Sequence, residues 1–460
     1  MTSQDGTLEK VFAHIEANKD SFLKRMMEYV SHPSISAQDI GIRDVANILL
    51  AQLERLGMEA ELVESSGHPF VIGRRNVDPE KPTVLLYGHY DVQPPEPLDA
   101  WHSPPFEPTI RDGRVFARGV GDNKGQHFAQ LLAIESHLAV TGELPCNVIF
   151  LLEGEEEIGS PHIAEFVRTN GDKLKADLVV TSDGPLHESG APVITFGVRG
   201  VASFELRARG ASRDVHSGNF GGVVPNPIWT LIHLLSTMKN PDGLITIEGI
   251  VEPVIPATNQ EREAVSKLPL DIDAIKEDLG LAEFDEPKDR EYFDRLMFHP
   301  TLTINGFHGG YEGEGSKTVL PCEAFVKCDV RLVEPLTPEY VFEKIAVHVA
   351  KHAPNVEFVP QNGMLPSKTS LDSPFSSALS DAVVAARGVA PLIYPTVGGS
   401  LPDYVFTKIL GLPAFVVPYA NADEANHAPN ENLEIVCFFN GIKTGAALLS
   451  ALGRHEKSDD

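Results

Sequence analysis

Thr83-Val84-Leu85-Leu86-Tyr87-Gly88-His89-Tyr90-Asp91-Val92-Gln93-Pro94 is the stretch on which the reading of this chain turns. Its first five residues are an unbroken apolar run closed by glycine, the pattern of a buried strand. At the mouth of that strand the His89 imidazole and the Asp91 carboxylate stand two residues apart, placed as a metal ligand and the group that orients it. Alone, His-x-Asp at a strand end is more often a hydrogen-bonded loop than a metal site. What the rest of the chain brings to the same place decides between the two.

At 460 residues the chain exceeds what one hydrophobic core usually supports, so two domains are expected. Acidic residues outnumber basic ones by 65 to 38, a net charge of −27, which argues against nucleic acid as a partner. The stretch Met1 to Lys10 is polar and lacks the basic-then-apolar order of a secretion signal, and no apolar run approaches bilayer-spanning length. No membrane partner is therefore expected, and the location by default is cytoplasmic. Cys146, Cys322, Cys328 and Cys437 are scattered without CxxC spacing among apolar neighbours, so they read as core thiols in a reducing compartment.

Helical spacing recurs from Leu8 to Val30 and from Arg43 to Leu56, and a long Pro-rich connection, Pro94 to Pro108, follows the first strand. Arg118-Gly119-Val120-Gly121-Asp122-Asn123-Lys124-Gly125 then opens a helix. It matches no nucleotide fingerprint, because it puts a carboxylate where phosphate would approach. A second buried strand, Asn147 to Leu152, ends in Glu153-Gly154-Glu155-Glu156-Glu157, with Ser160 and Pro161 as the expected cap and first position of a helix. A third, Asp177 to Thr181, ends in Ser182-Asp183-Gly184. Three strands thus deliver acids or imidazole at their carboxyl ends, where open α/β sheets bind ligands.

After about residue 197 the grammar changes. Phe204, Leu206 and Ala208 alternate with charged residues, as in a strand with one wet face. A helix at Pro225–Lys239, strands at 301–305 and 323–332, a helix at Thr337–Ala353 and a strand near 355–359 complete a β-α-β-β-α-β order, that of a ferredoxin-like module. The interval Pro241 to Pro300 has weak periodicity apart from a helix near Asp273–Leu279. From Leu371 the α/β pattern resumes, through Gly398-Gly399-Ser400 and a strand at Pro413–Tyr419 to a segment carrying His427, then a last apolar helix to Leu452. The expected architecture is an α/β domain with a largely parallel central sheet flanked by helices, residues 1–197 and 367–460, interrupted by a ferredoxin-like domain, residues 198–366.

The strand ends and adjoining loops collect His89, Asp91, Asp122, Glu156, Glu157, Asp183 and His427. Five carboxylates in one cleft stay ionised only if cations sit among them. Imidazole and carboxylate without thiolate suit zinc, with manganese as second choice, in a two-metal site where one carboxylate, Asp122 for preference, bridges. A spare glutamate would then serve as general base.

Six segments in this order, Gly88-His89-x-Asp91-Val92-Gln93-Pro94, Gly121-Asp122-Asn123-Lys124-Gly125, Glu156-Glu157-x-Gly159-Ser160, Ser182-Asp183-Gly184, His216-Ser217-Gly218 and His427-x-x-Asn430-Glu431, closely resemble the dinuclear metallopeptidases typified by carnosinase and cytosolic non-specific dipeptidase. More distant members of that group include carboxypeptidase G, acetylornithine deacetylase and succinyl-diaminopimelate desuccinylase. The resemblance implies one divalent ion on His89 and Asp183, a second on Glu157 and His427, and Asp122 between them. It implies that Asp91 orients His89, that Glu156 is the base on a water activated by the two ions, that the Asp122–Asn123 bond is cis, and that Glu155 lies at the surface or behind the site. It further implies a homodimer in which the inserted domain is a lid and dimerisation domain. That domain would lend His216, as oxyanion donor, and Thr318 to the neighbouring subunit, while Arg331 clamps the substrate carboxylate and Gly399 and Ser400 touch substrate. The expected activity is hydrolysis of dipeptides with a free C-terminal carboxylate. An N-acyl amino acid deacylase or carboxypeptidase would use the same metals, and a catalytically silent binding protein would not need the spare base.

Overall fold

The computed structural model describes residues 5–284 and 292–455. The chain divides into two compact units, one of Met1–Phe196, Thr369–Tyr394 and Val405–Asp460, the other of Gly197–Lys368 and Pro395–Tyr404. Pro395–Tyr404, expected with the first unit, therefore belongs to the second. Its neighbours there are explicit: the Arg199 amide donates to Val397 O and Gly399 O at 3.3 and 3.1 Å.

The first unit is built on an eight-stranded mixed sheet in the order Glu59–Val63, Phe70–Arg75, Asn147–Glu153, Thr83–His89, Leu178–Thr181, Ala414–Val416, Val193–Thr195, Leu392–Tyr394. Its centre is parallel, Thr83–His89 pairing with Asn147–Glu153 on one side and Leu178–Thr181 on the other, and Leu178–Thr181 with Ala414–Val416. The strands at 59–63 and 70–75, which lack a clean alternation and are not expected from the sequence, add an antiparallel flank. Val84, Leu86, Val148, Phe150, Leu152, Leu178 and Val180 join the main core with helices Lys124–Thr141 and Ile435–Leu452. The alternate residues Leu85, Tyr87, Ile149, Leu151 and Val179 are buried as well. With both faces covered, the strands read as continuous apolar runs. Parallel pairing sends their carboxyl ends to one edge of the sheet, which is what gathers the chemical groups.

Local details depart from expectation where a polar residue competes for the backbone. The first helical run splits into Asp5–Ala17 and Lys19–Val30 at Asn18, whose side-chain amide donates to His14 O at 2.8 Å. Ser160 is not a helix cap: it has φ +50° beside Gly159 at +87°, and the helix begins only at Ile163. A cap needs extended backbone at that position. Of the cysteines, Cys146, Cys328 and Cys437 are buried thiols and Cys322 is half-buried. Among the described residues, Ile435–Leu452 is, contrary to expectation, long and apolar enough to cross a membrane by length and composition, yet 72% of it is buried inside the fold.

The second unit has a four-stranded antiparallel sheet ordered Thr301–Gly309, Glu323–Leu332, Gly200–Arg209, Glu357–Met364. Helices Pro227–Met238 and Pro338–His352 pack on it through Leu231, Leu234, Val341 and Ile345. This is the expected β-α-β-β-α-β order. Among the described residues, the weakly periodic interval holds three helices, Asn259–Ser266, Ile272–Leu279 and Tyr292–Phe298. The first carries a capping box, Thr258 with Glu261, a start signal that the sequence does contain.

The helix Ile435–Leu452 bears on the site through Gly441. A Cβ there would lie 2.7 Å from Tyr419 Cδ2 and 2.8 Å from its Cγ, on a ring only 2% exposed, directly before the segment that carries His427. Gly441→Ala gains up to about 1 kcal/mol of helix propensity, against overpacking that costs about 1–3 kcal/mol. The expected result is a lower thermal midpoint, read by calorimetry, whereas an unchanged or raised midpoint would mean that the helix moves away freely.

Candidate metal centre

Each group of the site leaves the sheet edge by a short, pinned path. His89 is the last residue of its strand, Asp183 comes two residues after Thr181, and Glu156 and Glu157 open a single 3-10 turn just beyond Glu153. His89 Nε2 lies 3.1 Å from Asp122 Oδ1 and 3.5 Å from Asp183 Oδ2. His427 Nε2 lies 3.1 Å from both Asp122 Oδ2 and Glu157 Oε2. Two clusters result, His89 with Asp122 and Asp183, and Asp122 with Glu157 and His427, the candidate ligand atoms of each lying within 4.8 Å of one another. Asp122 gives one oxygen to each. The first cluster is buried; the His427 side chain is 56% exposed.

Asp91 does more than orient a ring. The His89 ring at Nδ1 faces Asp91 O at 3.1 Å and Asp91 Oδ1 at 3.4 Å. The same carboxylate accepts the Glu156 amide at 3.2 Å and the Glu157 amide at 3.0 Å, one on each oxygen. It therefore fixes the imidazole and the paired glutamates as one piece. Gln93 Nε2 adds bonds to Glu157 O and Oε2 at 3.0 and 2.9 Å. Glu155 is not at the surface: it is 3% exposed and accepts from the His68 amide and His162 Nδ1 at 3.1 and 2.7 Å.

The Gly119–Asp122 turn is held from behind by Glu431, a residue to which the sequence alone assigns no role. One oxygen accepts the Gly119 amide and Arg118 Nη1 at 2.9 and 2.8 Å, the other the Gly121 and Asp122 amides at 2.9 and 3.0 Å. Burial pushes this carboxyl up to about 7, but four N–H donors leave neither oxygen a place for a proton, so the carboxylate is the form that fits. Asn430 pins the Pro-rich connection, accepting the His102 amide at 2.8 Å and donating to Ala100 O at 2.9 Å. The bond after Asp122 is cis. Asn123 then binds the His89 amide and His127 Nδ1 through Oδ1, at 3.2 Å each, and Ser182 O through its amide. Burial pulls His127 well below the usual imidazole range, and Tyr29 OH lies 2.9 Å from its Nε2.

The charge balance shows what the site lacks. Burial pushes Asp122 up, but the two imidazoles hold it well below the usual carboxylate range. Burial also opposes protonation of His89, yet its three carboxylate neighbours raise it well above normal. Asp122 and Glu157 lift His427 to about 10. Glu156 is raised well above an ordinary carboxylic acid by withdrawal from water and by Asp183, Glu157 and Asp122. Glu424, 2% exposed, has neither oxygen hydrogen-bonded among the described residues. Burial raises it, and Asp122, Glu431 and Asp183 raise it further. The imidazoles are thus drawn toward carrying positive charge between carboxylates, the places that divalent cations would take. A donor set of carboxylate oxygens and two imidazoles, shared at Asp122, fits a two-metal site.

The other expected contributors lie in the second unit. His216 and Thr318 are brought together: Val215–His216 pairs with Val319–Leu320, and the Ser217 amide donates to Thr318 O at 3.0 Å. His216 Nδ1 accepts the Gly218 amide at 2.8 Å, which puts the proton of the neutral ring on Nε2. Arg331 Nη1 donates to Ser400 Oγ at 2.9 Å, and Gly399 O accepts the Arg199 amide.

Known proteins resemble the chain over nearly its whole length. The Cys-Gly metallodipeptidase dug1 of Schizosaccharomyces pombe is 32% identical, over 95% of this chain and 96% of that protein. A solved M20 family metallo-carboxypeptidase from Sulfolobus solfataricus is 37% identical with a TM-score of 0.87, covering 94% of this chain and 99% of its own. Human carnosine dipeptidase 1 is 28% identical with a TM-score of 0.80, covering 97% of this chain and 100% of its own. Residues 85–451 match Peptidase family M20/M25/M40, and the chain belongs to that family.

Proposed function

We propose that this protein is a metal-dependent dipeptidase, a hydrolase that cleaves dipeptides bearing a free C-terminal carboxylate. The observation that carries the reading is Asp122, with one oxygen toward each of two His-carboxylate clusters and Glu156 beside them. His89, Asp183 and Asp122 would hold one divalent ion, and Glu157, His427 and Asp122 the other. Zinc is the first choice and manganese the second. Such ions, when bound, acidify water and polarise a carbonyl. Glu156 accepts the proton of the attacking water and returns it to the leaving amine. His216, with its ring proton on Nε2, would donate to the oxyanion, and Arg331 would pair with the substrate carboxylate.

The second unit is read as a lid and dimerisation domain that lends His216 and Thr318 to a neighbouring subunit. Its surface carries exposed apolar side chains, Val223 at 83% and Trp229 at 57% among them, in keeping with an interface. The four unpaired thiols support a cytoplasmic location. A carboxypeptidase reading has its own support in the Sulfolobus solfataricus enzyme. A panel of free dipeptides, longer peptides and N-acetyl amino acids separates them, and dipeptides are expected to be cleaved fastest.

Glu156→Gln is expected to retain two metal equivalents and lose about 100- to 10,000-fold in kcat. Wild-type turnover in that variant would remove Glu156 from the role of base. Asp91→Asn places an amide N–H against a backbone N–H of the glutamate turn. Activity is expected to fall about 10- to 100-fold with most metal retained, and loss of both metals would make Asp91 a ligand.

Glu431→Gln replaces a four-fold acceptor with one that has a single acceptor oxygen, leaving Arg118 unpaired in the interior. The expected cost is about 3–5 kcal/mol, seen as a lower thermal midpoint together with reduced metal content by elemental analysis. Normal metal content and stability would show that the turn holds its shape unaided.

A further inference from the structure

The two halves of the metal centre stand on unequal ground. His89 ends one buried strand and Asp183 closely follows another, whereas His427 sits on a loop and its side chain is 56% exposed. That loop takes a form that L residues avoid: Ala425, His427 and Asn430 have φ of +57°, +57° and +64°. Such residues keep a left-handed backbone only where their surroundings over-determine it. Here the two ends of the loop are tied together. The Asn432 amide donates to Glu424 O at 2.8 Å, and Asn432 Nδ2 to Asp423 O, Glu424 O and Asn430 O at 3.2, 3.3 and 3.3 Å. Asn421 Oδ1 accepts the Glu434 amide at 2.7 Å, and its Nδ2 donates to Asp423 Oδ1 and Asn432 Oδ1 at 2.9 and 3.1 Å.

Arg114 closes this knot from outside the loop. It opens the strand Arg114–Phe116, which pairs with Asn432–Glu434 so that Arg114 is opposite Glu434 and Phe116 opposite Asn432. Its Nη1 donates to Asp423 Oδ2 and Asn432 Oδ1 at 2.8 and 2.9 Å, and its Nη2 to Glu434 Oε1 at 2.8 Å. The guanidinium thus holds Asp423 before His427, and Asn432 and Glu434 after it, with a planar fork of donors that an ammonium lacks. At 26% exposure its ion pairs add little to global stability; what they add is geometry. Two residues beyond Phe116, Arg118 opens the turn that ends at Asp122. One short strand therefore anchors the His427 loop at its start and runs into the Asp122 turn at its end. That link accounts for an exposed loop bringing His427 Nε2 to 3.1 Å from both Asp122 Oδ2 and Glu157 Oε2.

We propose that Arg114 is the positioning residue for the His427 half of the site. By fixing Asp423, Asn432 and Glu434 to the strand that leads into the Asp122 turn, it sets the affinity of the metal position on Asp122, Glu157 and His427 and leaves the position on His89 and Asp183 unchanged. The proposal rests on the two-metal reading of the site. Arg114 acts through the loop, not on substrate. A ligand that must be ordered when the ion arrives binds it less tightly than one already in place, so the loss of the anchor falls on one ion and not on the other.

Zinc titrated into the metal-free protein, followed by calorimetry and elemental analysis, separates the two positions without turnover. Wild type is expected to take up two equivalents. In Arg114→Met the first should bind as in wild type and the second about 10- to 100-fold more weakly. Arg114→Lys is expected to recover only part of that loss, because one ammonium does not reproduce the fork. Adding His427→Ala to Arg114→Met should remove no further tight metal, whereas adding Asp183→Asn should remove the tight ion that remains. Asp423→Ala, a change at a side chain 67% exposed, is expected to weaken the second equivalent as well, and it decides the matter if Arg114→Met does not fold. Two equivalents held by these variants as tightly as by wild type would overturn the proposal. So would equal weakening of both, the mark of a general loss of structure. Fewer than two equivalents in wild type would overturn the two-metal reading, and the proposal with it.

Discussion

Asp122 can face His89 with one oxygen and His427 with the other only because its backbone is fixed from the opposite side. Glu431 supplies that constraint by gathering three amides of the Gly119–Asp122 turn and the Arg118 guanidinium on one carboxylate. The arrangement also explains the small residues of the turn. A side chain at Gly121 would lie 2.3 Å from Glu424 Oε2, and one at Gly119, which has φ +80°, 2.3 Å from Val92 Cγ1. A carboxylate that must sit between two clusters needs its main chain placed to within a fraction of an ångström, and four charge-assisted or amide hydrogen bonds provide that.

Crowding acids at a sheet edge has an electrostatic consequence. Glu153, raised to about 8 by burial and donated to by Tyr87 OH at 2.6 Å, sits behind the Glu156 turn as a neutral acid. Glu424 stands over Gly121 without a partner among the described residues. Acids that hold their protons more tightly around the ligand carboxylates lessen the charge that cations must balance. Were all of them ionised, even two divalent ions would leave the pocket strongly negative, and repulsion would oppose folding.

The legible parts of this molecule are those whose signal is local. Apolar runs at 83–87, 147–152 and 178–181 mark three central strands, and a histidine or acid within a few residues of each marks the site, because a strand end fixes where the following side chains go. Asn430 and Glu431 are visible in the sequence as part of a motif, but what they do is not, because Glu431 acts across more than 300 residues of sequence, on the Arg118–Asp122 turn. Arg199 is invisible for a related reason. An arginine beside a strand is usually solvated, and only the fold, by closing Val397–Gly399 over it, makes it a buried charge. Ser160 misleads because Ser-Pro ahead of a helix is a strong capping signal, whereas two successive left-handed residues turn the chain before the helix can start.

The two units answer opposite electrostatic problems, and that bears on what the protein can act on. The first concentrates carboxylates that call for cations; in the second, Asp329 Oδ2 lies 3.7 Å from Arg331 Nε while its other oxygen accepts Asn305 Nδ2. On the proposed reading the substrate carries a polarisable carbonyl for the metals and a carboxylate for Arg331. A dipeptide meets these conditions, and so does an N-acyl amino acid. What distinguishes them is the amino terminus, whose ammonium group would lie near an acid-rich edge that favours positive charge. Glu156, as the ionised base, would provide part of that bias, so on the proposed reading selection for a free amino group is a by-product of the same crowding that holds the metals.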